Sequence, residues 1–209
     1  MPSNSYTFLV GAPGSKWSGI GQLITDNFDF NKSDETSERQ YVHGEFTGHK
    51  GSYFGPGMEL GEDFHRLEQS YLNRLRFQSM CDSAFSDPHL SQPKMIKCHQ
   101  FAYGLEWLKD NVPCSNILLV KRGTEESFDW WKKAGGWDIT YPNYQWYVDD
   151  NHMRHYIDSE IKLANEFVNK NAKWSQFNEE WLTENFGEHS ISLSDKYADT
   201  EVCLIETDF

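Results

Sequence analysis

Three short runs carry residues whose types and spacing suit the handling of an anion. They are Gly11-Ala12-Pro13-Gly14-Ser15-Lys16, Lys97-Cys98-His99 after Met95-Ile96, and Lys121-Arg122 after Ile117-Leu118-Leu119-Val120. A glycine-containing turn between a strand and a helix offers backbone N–H groups and the positive end of a helix dipole to an anion, and Lys16 adds a mobile charge. Histidine titrates near neutrality, which makes His99 a candidate to take a proton from a nucleophile. Lys16 and Lys97 are candidates to stabilise charge on a transferring group and its leaving phosphate. An isolated histidine after a strand is ordinarily a hydrogen-bonded structural residue. Here Lys97 before it, the loop upstream and Arg122 downstream turn the reading toward chemistry. His43 and His49, in a polar glycine-containing segment, read as solvated loop residues within reach of a substrate.

The elements that must position these residues follow from periodicity and capping. Tyr6 to Val10 reads as a strand, and a helix runs from Trp17 or Ser18 to about Asn27. Residues 26 to 52 read as a long polar surface excursion, suited to a lid over a site. From Asp63, the residues Phe64, Leu67, Tyr71, Leu75 and Gln78 recur at helical steps and predict an amphipathic helix ending near Met80. Lys94 to Cys98 reads as a strand delivering His99, and Ala102 to Asp110 as a helix. The continuous apolar run Ile117 to Val120 suits a central parallel strand covered on both faces. Thr124 offers an N-cap for a helix to about Lys133, stopped by Gly135-Gly136. Helices are expected over Asn151 to Lys170, with Ile157, Ile161, Ala164 and Phe167 on one stripe, and over Ser175 to Asn185; Glu201 to Glu206 reads as an edge strand. Alternating strands and helices predict an α/β domain spanning residues 1–209, its parallel central sheet flanked by helices. Ligands of such sheets sit at the carboxyl ends of the strands, where Gly11 to Lys16, His99 and Arg122 would meet.

The spacing from Gly11 does not satisfy G-x-x-x-x-G-K-[ST], and Trp17 follows Lys16 where a magnesium-dependent nucleotide triphosphatase has a hydroxyl. The pattern instead resembles the PAPS-dependent sulfotransferases of the P-loop type. In that family a first strand leads into a loop P-K-S-G-T-T-W, a later strand carries K-[ST]-H, and a third ends in an arginine followed by a helix. The counterparts Pro13-Gly14-Ser15-Lys16-Trp17-Ser18, Lys97-Cys98-His99 and Ile117 to Arg122 occur in the family's order. The resemblance implies that the loop, Pro13 to Ser18, holds the 5′-phosphate of PAPS, with PAP as product, and that Arg122 takes the 3′-phosphate. The family's serine on the following helix has Ser127 as its stand-in. It implies His99 as general base, with Lys97 and Lys16 on the transferring group, and no metal. The loop lysine stands two places later than in the family, and the late R-K-G segment has no match in residues 171 to 209.

Composition narrows the partners. Acidic residues outnumber basic ones, 32 to 19, for a formal net charge of -13. That field repels nucleic acid, anionic membranes and polyanionic glycans, so a bound anion must be held by a local pocket. A neutral small molecule, lipid or simple saccharide is the expected acceptor, with Gly48 to Gly57 and the aromatic stretch Trp130 to Tyr147 as candidate pocket segments. Cys81, Cys98, Cys114 and Cys203 have neither CxxC spacing nor an evident histidine pattern for zinc, and scattered thiols suit the cytoplasm. No stretch approaches the roughly 20 apolar residues of a membrane span. A divergent P-loop nucleotide kinase and a non-catalytic nucleotide or carbohydrate binder are the competing readings.

Overall fold

In the computed structural model the first strand, β1 (Tyr6–Gly11), is buried along its whole length. The structure describes residues 6–43, 47–55, 73–139 and 144–207. Successive side chains of a strand point to opposite faces, and both faces of β1 are covered. Tyr6, Phe8 and Val10 join one apolar cluster with Phe77, Phe101 and Phe167, whereas Leu9 joins another with Trp17, Ile20, Ile24 and Trp181. This double burial explains why the strand is apolar on both faces from Phe8 to Val10, with Thr7 as its one buried polar side chain.

The chain then forms α1 (Trp17–Asn27), the hairpin β2 (Gln40–His43) and β3 (Thr47–Lys50), and α2 (Arg74–Asp82). It continues as β4 (Lys94–Lys97), a 3-10 turn (His99–Gly104), α3 (Leu105–Asn111), β5 (Asn116–Lys121) and α4 (Thr124–Lys133). The last elements are α5 (Asp150–Asn171), β6 (Ser175–Gln176), α6 (Glu179–Phe186) and β7 (Glu201–Glu206). The main sheet has five strands in the order β4-β1-β5-β7-β6. β1 lies parallel to both β4 and β5, with Leu9 opposite Lys97 and Gly11 opposite Val120, so the three carboxyl ends finish at one edge. The fold is a mixed α/β layer structure with a mostly parallel sheet.

Several elements depart from expectation. The sheet is not parallel throughout, because β7 runs antiparallel to β5, with Lys121 opposite Glu201, and β6 pairs antiparallel with β7. β7 is therefore an inner strand rather than an edge. The helix expected over Ser175 to Asn185 starts only at Glu179, where the Asn178 side chain accepts from the Trp181 N–H, and Ser175–Gln176 pair with β7 instead. Thr124 opens α4 as its first residue, and Gly123 holds the cap position. The 26–52 excursion is folded down: the Asn31 side chain donates to the Asp87 carbonyl (2.9 Å), and the buried Asp34 accepts from the Ser52 N–H (2.6 Å). Of the helix expected to end near Met80, Arg74 onward is helical; Phe64, Leu67 and Tyr71 lie outside the described residues, as do Pro56 and Gly57 and Tyr141 to Asn143. Among the described residues, no helix is long and apolar enough to cross a membrane.

Candidate functional site

The loop from Gly11 to Lys16 leaves β1 and turns at once into α1, with the Ser15 N–H donating to the Ala12 carbonyl at 3.0 Å. Gly14 has φ 80, and a Cβ there would run into the carbonyl oxygen of Ser127 on α4, so the close approach of loop and helix requires glycine. Lys16 also adopts a left-handed conformation, φ 66, at the N-cap of α1. That geometry is uncommon for a residue with a side chain and costs on the order of 1 kcal/mol, the kind of strain that clusters at binding sites.

Arg122, one residue beyond β5, packs beneath this loop. Its Nη1 donates to the carbonyls of Gly14 (3.1 Å) and Glu126 (3.0 Å), and its Nη2 bonds to Asp199. The Lys16 ammonium reaches the other oxygen of the same carboxylate at 3.0 Å and the Lys196 carbonyl. Asp199 thus bridges the two cations. Hydrogen bonds from Arg122 and Lys16 hold its carboxyl down at about 2, although it is 45% exposed. It reaches them because β7 is antiparallel: the turn before Glu201 lies at the edge where β1 and β5 end.

An open cleft of about 640 Å³ lies over the loop. Pro13, Gly14, Lys16, Trp17 and Ser18 line it, with the β2–β3 hairpin on one side, Trp130, Trp131 and Tyr144 on another, and Lys196 and Tyr197 from the late turn. Among the described lining residues, Lys16, Lys50 and Lys196 face a single acid, Asp26. The cleft is ring-walled, and two of its lysines are already paired with carboxylates, Lys16 with Asp199 and Lys50 with Glu35. Of the segments expected to form a pocket, Gly48 to Gly57 and Trp130 to Tyr147, the cleft is lined by Gly48 to Lys50 from the first and by Trp130, Trp131, Ala134, Ile139 and Tyr144 from the second.

The remaining expected residues stand behind the wall. Ser15 and Ser127 are buried, and their hydroxyls have no hydrogen-bond partner among the described residues. His99 is fully buried, its Nδ1 2.8 Å from Glu160 Oε1 on α5 and its Nε2 without a partner among the described residues. The rings of Trp17 and Tyr144, which line the cleft, are each 6.5 Å from the His99 ring. Lys97 does not join this group. Its side chain runs beneath α1, where a Cβ at Gly21 would lie 3.6 Å from its Cδ, and its ammonium bonds to the Lys50 carbonyl. Burial pushes the Lys97 ammonium down to about 8, against the pull of Asp34. His49 lines the cleft and stacks on Tyr53 at 3.7 Å.

Sequence reasoning missed Glu160, Asp199 and Lys196. Glu160 left a signal, an acid three residues after Ile157 and four before Ala164 on an otherwise apolar stripe of α5. Asp199 and Lys196 left none, since only the direction of β7 brings them to the loop. The chain matches no protein-family model, no curated protein and no solved structure.

Asp199 pairs with both Lys16 and Arg122 and so competes with any anion drawn to those two cations. Asp199→Asn should therefore tighten binding of inorganic pyrophosphate by up to about fivefold in titration calorimetry, an exposed ion pair contributing up to about 1 kcal/mol. Weaker binding by the variant would show instead that Asp199 holds the two cations in their binding pose.

Proposed function

We propose that this chain is a P-loop-type sulfotransferase that moves a sulfuryl group from PAPS to a hydroxyl or amine of a small-molecule, lipid or saccharide acceptor. One observation carries the reading. Three adjacent parallel strands, β4, β1 and β5, bring the K-x-H residue His99, the glycine loop and Arg122 to one edge of the sheet, with an aromatic-walled cleft over the loop.

The residues present fit such a donor. The hydroxyls of Ser15 and Ser127 and Arg122 Nε, buried without a partner among the described residues and outside the cleft lining, would meet a phosphate oxygen only once the loop opens toward the cleft. Backbone amides from Gly14 to Trp17 and the Lys16 ammonium would hold the 5′-phosphate, and Arg122 the 3′-phosphate once Asp199 gives way. Lys196, on the late turn beside Lys16, lines the same cleft and would add a cation there. PAPS, when bound, supplies a sulfuryl group activated toward nucleophiles. The protein's part is to orient the acceptor against the rings of the cleft, to exclude water and to accept the acceptor's proton at His99. Lys97 stays out of this scheme, since its ammonium lies under α1.

PAP or PAPS at a hundredfold excess over Kd should raise Tm by about 5–10 °C, from about 2.7 kcal/mol of linkage. ATP with magnesium should do so much less. Equal shifts for both nucleotides would remove the case for a sulfuryl donor. Turnover is then read as PAP release from PAPS with 2-naphthol, methyl glucoside and hexylamine as acceptors. A non-catalytic binder is the second reading, favoured by the burial of His99 behind Trp17 and Tyr144; it predicts the same thermal shift without PAP release.

A further inference from the structure

We propose that Glu160 is a positioning residue for His99, holding the Nδ1–H so that Nε2 is the basic nitrogen. The inference rests on the reading of His99 as general base. Glu160 sits within α5 on the stripe formed by Met153, Ile157, Ala164 and Phe167, all buried. Packing alone calls for an apolar side chain there. A carboxylate removed from water costs several kcal/mol unless it is paired and hydrogen-bonded.

Its partner is His99, with Nδ1 and Oε1 2.8 Å apart and both side chains at most 1% exposed. Glu160 Oε2 has no partner among the described residues, so the imidazole is the group that accounts for the acid. Burial pushes the Glu160 carboxyl up, and the neighbouring His99 pulls it back. Against an ionised Glu160, which can only accept, the shared proton belongs to Nδ1, and in the neutral imidazole the lone pair is then on Nε2. When His99 acts, the acceptor's O–H or N–H bond breaks, an Nε2–H bond forms and the Nδ1 proton stays in place. The imidazolium so formed lies against a carboxylate in water-poor surroundings, where the attraction is stronger than at the surface.

The tautomer is read on the full chain by long-range 1H–15N correlation of the His99 ring, with and without PAP. The expected result is a proton on Nδ1 in the parent and its transfer to Nε2 in Glu160→Leu, which suits the apolar stripe; Glu160→Gln, able to accept through its amide oxygen, should fall between. A parent ring protonated on Nε2, or a tautomer unchanged in Glu160→Leu, overturns the proposal. In the PAP-release assay Glu160→Leu should lower kcat at least 10-fold in the parent, with PAP affinity within a few-fold, and change nothing further in a His99→Ala background. An equal loss in both backgrounds would make Glu160 merely structural and also overturn it. If the parent releases no PAP, the sulfotransferase reading fails, while the ring protons still decide the role of Glu160.

Discussion

His99→Ala is expected to cut turnover of PAPS by roughly 100-fold or more while leaving PAP affinity within a few-fold. General-base catalysis contributes typically 10²–10⁴-fold, and a base acts in the transition state rather than in holding the donor. The geometry sharpens the expectation. Among the described residues His99 makes no hydrogen bond to the loop, its polar partner being Glu160, so its loss should disturb the loop only through the packing of its ring near Trp17. Its burial behind Trp17 and Tyr144 adds a requirement, that one of these rings moves aside when acceptor and donor are both present. The measurement is steady-state PAP release alongside PAP titration of the same preparation. Transfer at the parent rate would defeat the mechanism, leaving the donor assignment to stand with another base such as His49, which lines the cleft, or His43.

Arg122→Ala should weaken PAP by about 10- to 150-fold, corresponding to about 1.5–3 kcal/mol for a charge-assisted contact. Adenosine 5′-phosphosulfate, which has no 3′-phosphate, should lose far less. Arg122 has a second duty, because its Nη1 braces the Gly14 and Glu126 carbonyls. Arg122→Lys separates the two: it keeps a charge but loses the planar fork, so it should retain part of the PAP affinity. A uniform loss for both nucleotides, with Arg122→Lys no better than Arg122→Ala, would identify the residue as a brace of the loop and not a ligand of the 3′-phosphate. Titration calorimetry on folded variants, checked by thermal unfolding, distinguishes the outcomes.

Local order was legible in the residues because it is encoded locally. The apolar run before Gly11, the turn itself and the helical steps after Trp17 depend on neighbours within a few positions, and β1, the loop and α1 stand where those neighbours require. The run Ile117 to Val120 likewise reports a strand buried on both faces, and Gly135-Gly136 a helix stop. What periodicity does not carry is which strands pair and in which direction. Glu201 to Glu206 has the composition of a strand whichever way it runs; only pairing with β5 makes it antiparallel and lays Asp199 across Lys16 and Arg122. The K-x-H spacing places Lys97 and His99 near one another along the chain, yet His99 begins a 3-10 turn while the long Lys97 side chain follows the underside of α1 to the Lys50 carbonyl. Glu160 is 61 residues from His99, and nothing within either local window announces the other. The sequence by itself determined the glycine turn after β1 and the strand and helix on either side of it. Tertiary packing decided which charges face that turn, because a long side chain answers to the nearest partner in space and not to its neighbours in sequence.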